Sequence, residues 1–182
     1  TFRSDVAAAA IEEITNRFPD MHVGAGTVIT VAQLESAHAA GARFAVAPGL
    51  DEDIMMRAQQ LAIPFWPGVC TPTEIGRAIA AGMRILKFFP AGALGGAPVI
   101  KAMLAPYRHL GVEVVPTGGI DADSAVEYWS LPGVLAVGGS WIAPTTVVSN
   151  GDWAEVRRRA SVAIEKYRVV RSAGVATDTA AS

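Results

Sequence analysis

The chain has 182 residues, which is enough for one well-packed domain and short for two. Hydrophobic residues make up 51% of it, but Gly, Pro or a charge interrupts every stretch long enough to cross a bilayer, so the composition indicates a soluble core and excludes a membrane span. The net charge of -2 excludes the basic surface of a nucleic-acid binder, and the single Cys70 excludes an internal disulfide and fits a reducing compartment, so we expect a cytoplasmic protein.

The two ends of the sequence differ in character. Thr1-Phe2-Arg3 is interpreted as the end of a strand, and an Ala-rich helical pattern from Asp5 to about Phe18 follows it directly. The last residues are mostly Ala, Thr and Ser without an apolar period. We therefore expect one folded domain at residues 1–172 and a disordered tail at residues 173–182.

Between these ends, short apolar strands alternate with helical patterns. The predicted strands are Met21–Val23, Arg43–Val46, Pro64–Trp66, Arg84–Phe89, Glu113–Val115 and Val134–Val137. The helices that follow them are predicted at Val31–Ala40, Glu52–Leu61, Pro72–Ala81, Pro98–Ala105, Ala122–Ser130 and Trp153–Arg171.

Repeated β-α units predict a parallel sheet, either doubly wound or closed into a barrel. The barrel is favoured because residues suited to chemistry follow nearly every strand, as expected when the loops converge on one mouth. With six strands and the end of another at Thr1-Phe2-Arg3, a (β/α)8 TIM barrel would lack its first strand and first helix. We therefore expect the natural protein to begin before Thr1.

Lys87 is one of only three lysines and lies within an apolar strand pattern, Arg84–Phe89. Ile85, Lys87 and Phe89 should share one face of that strand. An ammonium group in apolar surroundings loses hydration, which lowers its pKa and makes the neutral amine available to attack a carbonyl carbon. Schiff-base chemistry is one interpretation; a lysine that extends along the strand to reach water is the other.

Paired glycines follow the last two predicted strands, at Gly118-Gly119 and Gly138-Gly139-Ser140. Glycines leave backbone amides uncovered, and a helix that begins just beyond them adds its positive end, so the pattern suits a phosphate. Barrels often hold phosphate after these two strands. The alternative is that the glycines only form turns.

Other polar residues also stand at strand ends. The hydroxyls of Thr27 and Thr117 could donate to a carboxylate or carbonyl oxygen, or could serve as helix caps. Arg3 could bind a carboxylate bidentately, or could be an ordinary surface arginine. The three histidines are scattered and no metal-ligand spacing is present, so we expect no metal.

Five segments, taken in order, resemble the bacterial 2-keto-3-deoxy-6-phosphogluconate (KDPG) aldolase family, whose members often also cleave 4-hydroxy-2-oxoglutarate (KHG). The resemblance runs from Thr1 to about Arg159. It rests on Gly-Ala-Gly-Thr-Val at 24–28, Pro-Gly-Leu at 48–50, Leu-Lys-Phe-Phe-Pro-Ala at 86–91, Pro-Thr-Gly-Gly-Ile at 116–120 and Gly-Gly-Ser-Trp at 138–141.

The resemblance assigns roles residue by residue. It makes Lys87 the Schiff-base lysine, and Gly118, Gly119, Gly139 and Ser140 the phosphate-binding residues. It places the substrate keto acid among Arg3, Thr27, Pro48, Phe89 and Thr117. The family's proton-transferring glutamate precedes the residue that matches Arg3, so we expect it before Thr1. Gly92 departs from the family pattern, because relatives commonly carry an acid there.

The resemblance further implies a class I aldolase that needs neither metal nor cofactor and forms a homotrimer. Its reaction is reversible cleavage of KDPG to pyruvate and glyceraldehyde 3-phosphate, so its partners are a small keto acid and a phosphorylated aldehyde. Two alternatives stay open at this point. One is a sugar-phosphate epimerase or isomerase, which would share the glycine loops without forming an imine. The other is a non-catalytic phosphosugar-binding relative.

Overall fold

A computed structural model describes the backbone of residues 1–178 and the side chains of residues 1–172. The chain forms two compact units, Thr1–Phe89 and Pro90–Ser182. Strands and helices alternate along it, and the paired strands are parallel, so the predicted α/β class is confirmed. Among the described residues, no helix has the length and apolar character needed to cross a membrane.

The first unit contains four helices and five short strands. The helices are α1 (Ala7–Arg17), α2 (Val31–Ala39), α3 (Glu52–Gln60) and α4 (Pro72–Ala80). The strands are β1 (Gly24–Ala25), β2 (Phe44–Val46), β3 (Phe65–Trp66), β4 (Gly68–Val69) and β5 (Ile85–Phe88). β2 pairs with both β1 and β3, and β4 pairs with β5 so that Gly68 lies opposite Lys87.

Pro67 explains why one apolar segment gives two strands. It lies between β3 and β4, and because it lacks a backbone N–H it cannot donate the hydrogen bond that would continue one strand into the next. Its carbonyl oxygen still accepts a 2.9 Å hydrogen bond from the Lys87 amide. The segment can thus pair with β2 before the proline and with β5 after it.

Side-chain caps fix where three helices of this unit begin. The Thr30 side chain accepts from the Gln33 amide, and the Asp51 side chain accepts from the Ile54 amide. Thr71 and Glu74 form a reciprocal capping box at the start of α4, with proline at the first helical position. Local polar chemistry therefore determines these boundaries, as the sequence pattern indicated.

The described part of the second unit, 90–178, contains one short strand and four helices. They are β6 (Glu113–Pro116), α5 (Gly96–Leu104), α6 (Ser124–Trp129), α7 (Thr145–Ser149) and α8 (Trp153–Asp178), with a 3-10 turn at Ala105–Leu110. Parallel bridges join Val114 to Val134 and Thr117 to Gly138. The apolar core of the unit includes Ile100, Val114, Ala125 and Val134, which are almost completely buried.

Several predicted elements were wrong in detail. Phe2 and Arg3 lie in a turn instead of a strand end, and the strand expected at Met21–Val23 lies at Gly24–Ala25. Within Val134–Val137 only Val134 makes a bridge, to Val114, and the next bridge lies beyond the range, at Gly138. The last helix continues to Asp178 and so includes residues expected in the tail, since extending a helix needs no new nucleus. The rest of that tail, 179–182, lies outside the described residues.

Candidate functional site

Lys87 lies on the more open face of β5. The neighbouring side chains Leu86 and Phe88 point to the other face and are essentially fully buried, whereas Ile85 and Lys87 are only half-buried. The alternation of faces was therefore predicted correctly, but the strand is not buried equally on both sides. The half-buried position leaves the amine accessible to a small molecule while apolar atoms surround its stem.

Two neighbours determine the electrostatic environment of the Lys87 amine. Its Nζ lies 4.8 Å from the centre of the Phe89 ring. Burial lowers the pKa of the Lys87 ammonium below its ordinary value, and the positive charge of Arg3 lowers it further. More of the amine is therefore neutral near pH 7 than in an exposed lysine, which is the form that attacks a carbonyl carbon.

Arg3 and Thr27 belong to neighbouring backbone segments of the first unit. The Phe2 amide donates a 2.9 Å hydrogen bond to the Gly26 carbonyl oxygen, which fastens the beginning of the chain to the loop after β1. Arg3 is exposed, so its guanidinium is free to meet a carboxylate from solvent. Its effect on the pKa of Lys87 is the observation that connects it with the amine.

Thr27 adopts a backbone conformation that a threonine rarely takes. Its φ is +57°, in the left-handed region, which costs energy for a β-branched residue. The helix that follows is capped by Thr30, so capping does not explain Thr27. Strained residues of this kind cluster at ligand-binding sites, which favours a binding role for its hydroxyl.

Pro48 follows β2 and packs tightly against β4. A Cβ on Gly68 would lie 2.2 Å from the Pro48 carbonyl oxygen, so no side chain fits between the two segments. Gly68 is also the register partner of Lys87. The structure therefore brings the Pro48 loop next to the strand that neighbours the lysine, at the end where parallel strands place their ligands.

The second unit brings together the loops that contain Gly92 and Gly118-Gly119. The Gly92 amide donates to the Gly118 carbonyl oxygen at 2.9 Å, and the Ala91 amide donates to the Thr117 carbonyl oxygen at 2.8 Å. A Cβ on Gly92 would lie 2.7 Å from the Gly119 carbonyl oxygen. In this chain the backbone at Gly92 thus lies so close to Gly119 that a side chain there would require one of the two loops to shift.

The loop at Gly138-Gly139-Ser140 lies beside the same strand end. The Gly138 amide donates a 2.9 Å hydrogen bond to the Pro116 carbonyl oxygen, and a Cβ on Gly138 would lie 2.5 Å from Cγ2 of Thr117. Both glycine loops therefore meet next to Thr117. The Thr117 hydroxyl is buried and has no hydrogen-bond partner among the described residues, so it can serve a ligand.

The exposed backbone of these loops suits an anion. Gly119, Gly139 and Ser140 are exposed, and within the described part of the chain their amides donate no hydrogen bond. Gly118 and Gly119 have φ values of +90° and +71°, a conformation that glycine adopts without strain and that leaves their backbone uncovered by a side chain. The Asp121 carboxylate nearby accepts hydrogen bonds from Ser124 and from the Asp123 amide, which lower its pKa and keep it charged.

The predicted site residues thus fall into two groups. Lys87, Arg3, Thr27, Pro48 and Phe89 belong to the first unit, and the remaining residues, Thr117, Gly118, Gly119, Gly139 and Ser140, belong to the second. In the range that the structure covers, no three His, Cys, Asp or Glu side chains are grouped to hold a metal ion.

Two contacts near Ser140 could not be recognised in the sequence. The Trp141 ring covers Gly139, and Arg159 donates to the Trp141 carbonyl oxygen. Arg159 is one of three consecutive arginines, and the sequence does not distinguish it from the other two. Only the position of the helix in the structure distinguishes one of them.

A family model described as the KDPG and KHG aldolases matches residues 1–159. A 2-dehydro-3-deoxy-phosphogluconate aldolase of Treponema pallidum is 44% identical over 156 residues, which cover 86% of this chain and 73% of that protein.

Two solved structures are also similar to this chain. One is a KDPG aldolase of Legionella pneumophila with pyruvate captured at low pH as a covalent carbinolamine intermediate; its TM-score is 0.83, with 40% identity over 90% of this chain and 77% of that one. The other is the KDPG aldolase of Zymomonas mobilis with 3-phosphoglycerate; its TM-score is 0.81, with 37% identity over 88% of this chain and 74% of that one.

Proposed function

Because this chain belongs to the KDPG and KHG aldolase family, we propose that it cleaves KDPG reversibly to pyruvate and glyceraldehyde 3-phosphate through a Schiff base on Lys87. It is a class I aldolase, a carbon–carbon lyase. The same lysine chemistry would cleave KHG to pyruvate and glyoxylate. The observation that carries the proposal is the half-buried amine of Lys87 beside Phe89, with its pKa lowered by burial and by Arg3.

The reaction starts with attack of the neutral Lys87 amine on C2 of the keto acid. The carbinolamine loses water to give an iminium, which is an electron sink. A base removes the proton of the C4 hydroxyl, the C3–C4 bond breaks, and its electron pair forms the enamine while the aldehyde leaves. Protonation of C3 and hydrolysis then release pyruvate and the free amine. No described residue is assigned as the base, a role that contributes typically ~10²–10⁴-fold.

The residues around the amine have separate proposed roles. The Arg3 guanidinium and the Thr27 and Thr117 hydroxyls bind the carboxylate and carbonyl oxygens of the pyruvate portion. Pro48 and Phe89 contact its apolar atoms and exclude water from the imine. The strain at Thr27 and the unpartnered hydroxyl of Thr117 support these assignments.

Gly118, Gly119, Gly139 and Ser140 are proposed to bind the substrate phosphate. Exposed amides at Gly119, Gly139 and Ser140 support this role, because backbone N–H groups are strong donors to phosphate oxygens. Backbone donors can bind a phosphate without a metal, and the cleavage step needs no other cofactor because the iminium is the electron sink.

Further proposals concern the surroundings of the reaction. We propose that the parallel strands belong to a (β/α)8 barrel, that the protein acts as a homotrimer, and that it works in the cytoplasm. Family membership supports the first two, and the single cysteine supports the third. The same protein fold carries many activities, so the reaction itself rests on the lysine and not on the barrel.

Turnover of the purified protein tests the proposal. Pyruvate released from KDPG is followed with a coupled assay, and Lys87→Met is compared with Lys101→Met, which changes an exposed lysine of α5. We expect loss of cleavage in the first variant and normal cleavage in the second. Cleavage that survives Lys87→Met would show that the reaction does not use an imine on Lys87. A wild-type protein that rearranges a sugar phosphate without cleaving KDPG would be an epimerase or isomerase. A protein that binds the sugar phosphate but never cleaves it would be the non-catalytic relative.

A further inference from the structure

The last helix reaches the loop that contains Ser140 through one side chain. Nη1 of Arg159, in α8, donates a 3.0 Å hydrogen bond to the carbonyl oxygen of Trp141. The contact is partly buried, and a charged donor makes a stronger hydrogen bond than a neutral one. The backbone immediately after Ser140 is therefore fastened to the helix by an arginine.

Arg159 is itself held in place on the helix. Its Nε lies 2.7 Å from Oε1 of Glu155, and the other carboxylate oxygen of Glu155 lies 2.6 Å from Nε of Arg158. The two arginines lower the pKa of Glu155 to about 2, so this carboxylate stays charged over the whole working range of pH. Both arginines pair with Glu155, but the Arg158 side chain is 63% exposed and the Arg159 side chain only 35%.

The Trp141 side chain transmits this restraint to the glycines. A Cβ on Gly139 would lie 1.9 Å from Cζ3 of Trp141, so the indole ring rests directly on the Gly139 backbone. Trp141 therefore contacts the loop with its ring and accepts from Arg159 with its carbonyl oxygen. Fixing one end of this residue fixes the orientation of the amides of Gly139 and Ser140.

We propose that Arg159 is a positioning residue for the loop Gly138-Gly139-Ser140. It acts through the Trp141 carbonyl oxygen and does not touch the substrate. This inference rests on the proposed function, because it assigns Arg159 to the phosphate-binding part of that site. The restraint matters only for a substrate that has a phosphate. Arg159 therefore contributes to discrimination between KDPG and the unphosphorylated KHG.

Steady-state kinetics of Arg159→Ala, Arg159→Lys and Arg158→Ala test the inference. Arg158→Ala is a matched control, because it removes a second arginine from Glu155 but leaves the bond to Trp141. We expect Arg159→Ala to raise KM for KDPG and the inhibition constant of inorganic phosphate by about tenfold, the size expected for a hydrogen bond from a charged group. KM for KHG and kcat for both substrates should stay within about twofold, and Arg159→Lys should recover most of the loss.

The outcomes separate this inference from the proposed function. An active wild-type protein in which Arg159→Ala behaves like Arg158→Ala would overturn the inference alone. So would an equal loss with KDPG and KHG, because a general destabilisation does not distinguish the two substrates. A wild-type protein that neither cleaves KDPG nor forms an imine with pyruvate would overturn the proposed function, and this inference with it.

Discussion

Lys87 lies in β5 and Phe89 directly follows that strand, with the Lys87 Nζ 4.8 Å from the centre of the Phe89 ring. The ring has two opposite effects on the amine. Its face attracts an ammonium group, which favours the charged form, whereas its bulk removes water, which favours the neutral form. The pKa of Lys87 is lowered, with burial as the largest cause, so the loss of water dominates.

Phe89 should therefore matter through its bulk. We expect Phe89→Ala to hydrate Lys87, to raise its pKa, and to slow imine formation with pyruvate at pH 7 by about tenfold for each pKa unit regained. Phe89→Leu keeps an apolar group beside the amine and should stay close to the wild-type rate. The rate of borohydride trapping measures both. Equal slowing in the two variants would contradict a role through bulk, because leucine keeps an apolar group beside the amine.

Arg3 should set the pH at which the amine reacts. Burial and the Arg3 charge both lower the pKa of Lys87, so the neutral amine is present at a lower pH than in an ordinary lysine. Arg3→Gln removes the second cause, raises that pKa and moves the pH profile of imine formation to higher pH. Acetone serves as the carbonyl compound, since it has no carboxylate for Arg3 to bind.

Arg17→Gln is the control for this experiment, because Arg17 pairs with Glu13 on an exposed helix face. Its pH profile should match that of the wild type. If the pH profile of Arg3→Gln matched the wild type or moved to lower pH, Arg3 would not be lowering the pKa of Lys87.

Gly119 should distinguish the phosphorylated substrate from the unphosphorylated one. Gly119→Asp places a negative charge in the loop Gly118-Gly119, at a position with a φ of +71°. Because that charge repels a phosphate, we expect KM for KDPG to rise by at least about tenfold and KM for KHG to change much less. Gly111→Asp is a matched control, because Gly111 has a φ of +66° in the same unit and open space around it. If Gly119→Asp raised KM equally for both substrates, the loop would be a turn with no role in phosphate binding.

Gly92 should be required for the contact between its loop and Gly119. A Cβ at Gly92 would lie 2.7 Å from the Gly119 carbonyl oxygen, so Gly92→Ala should lower the free energy of unfolding by about 1–3 kcal/mol. Gly76→Ala should do the opposite, because Gly76 lies inside α4 with open space around it; we expect a gain of about 0.5–1 kcal/mol. Urea unfolding measures both. Stabilisation by Gly92→Ala would mean that the two loops are not in tight contact.

The sequence predicted the helices better than the strands. Capping residues such as Thr71 and Glu74 are local signals, so the predicted and observed starts of α4 agree. The strands are only two to four residues long, and their bounds depend on which neighbour they pair with. The interruption at Pro67 illustrates this, because it divides one apolar segment between two partners.

Lys87 could be singled out from its sequence because a cation in an apolar strand is unusual. Its accessibility could not be predicted, because the residues before and after it are all apolar. The structure shows that one face of β5, with Leu86 and Phe88, is fully buried, whereas the face with Lys87 is not. The role proposed for Arg159 was equally invisible, because three adjacent arginines become different only when one of them meets Trp141. Contacts between distant segments carry this information, and periodicity does not.

Borohydride reduction in the presence of pyruvate, followed by peptide mass spectrometry, tests the central claim most directly. Imine formation needs the Lys87 amine and a carbonyl compound, but not the base that completes turnover. We expect one reduced pyruvate adduct, on the peptide that contains Lys87, and none in Lys87→Met. An adduct on Lys101 or Lys166, or an adduct that persists in Lys87→Met, would contradict the assignment of Lys87 as the Schiff-base lysine.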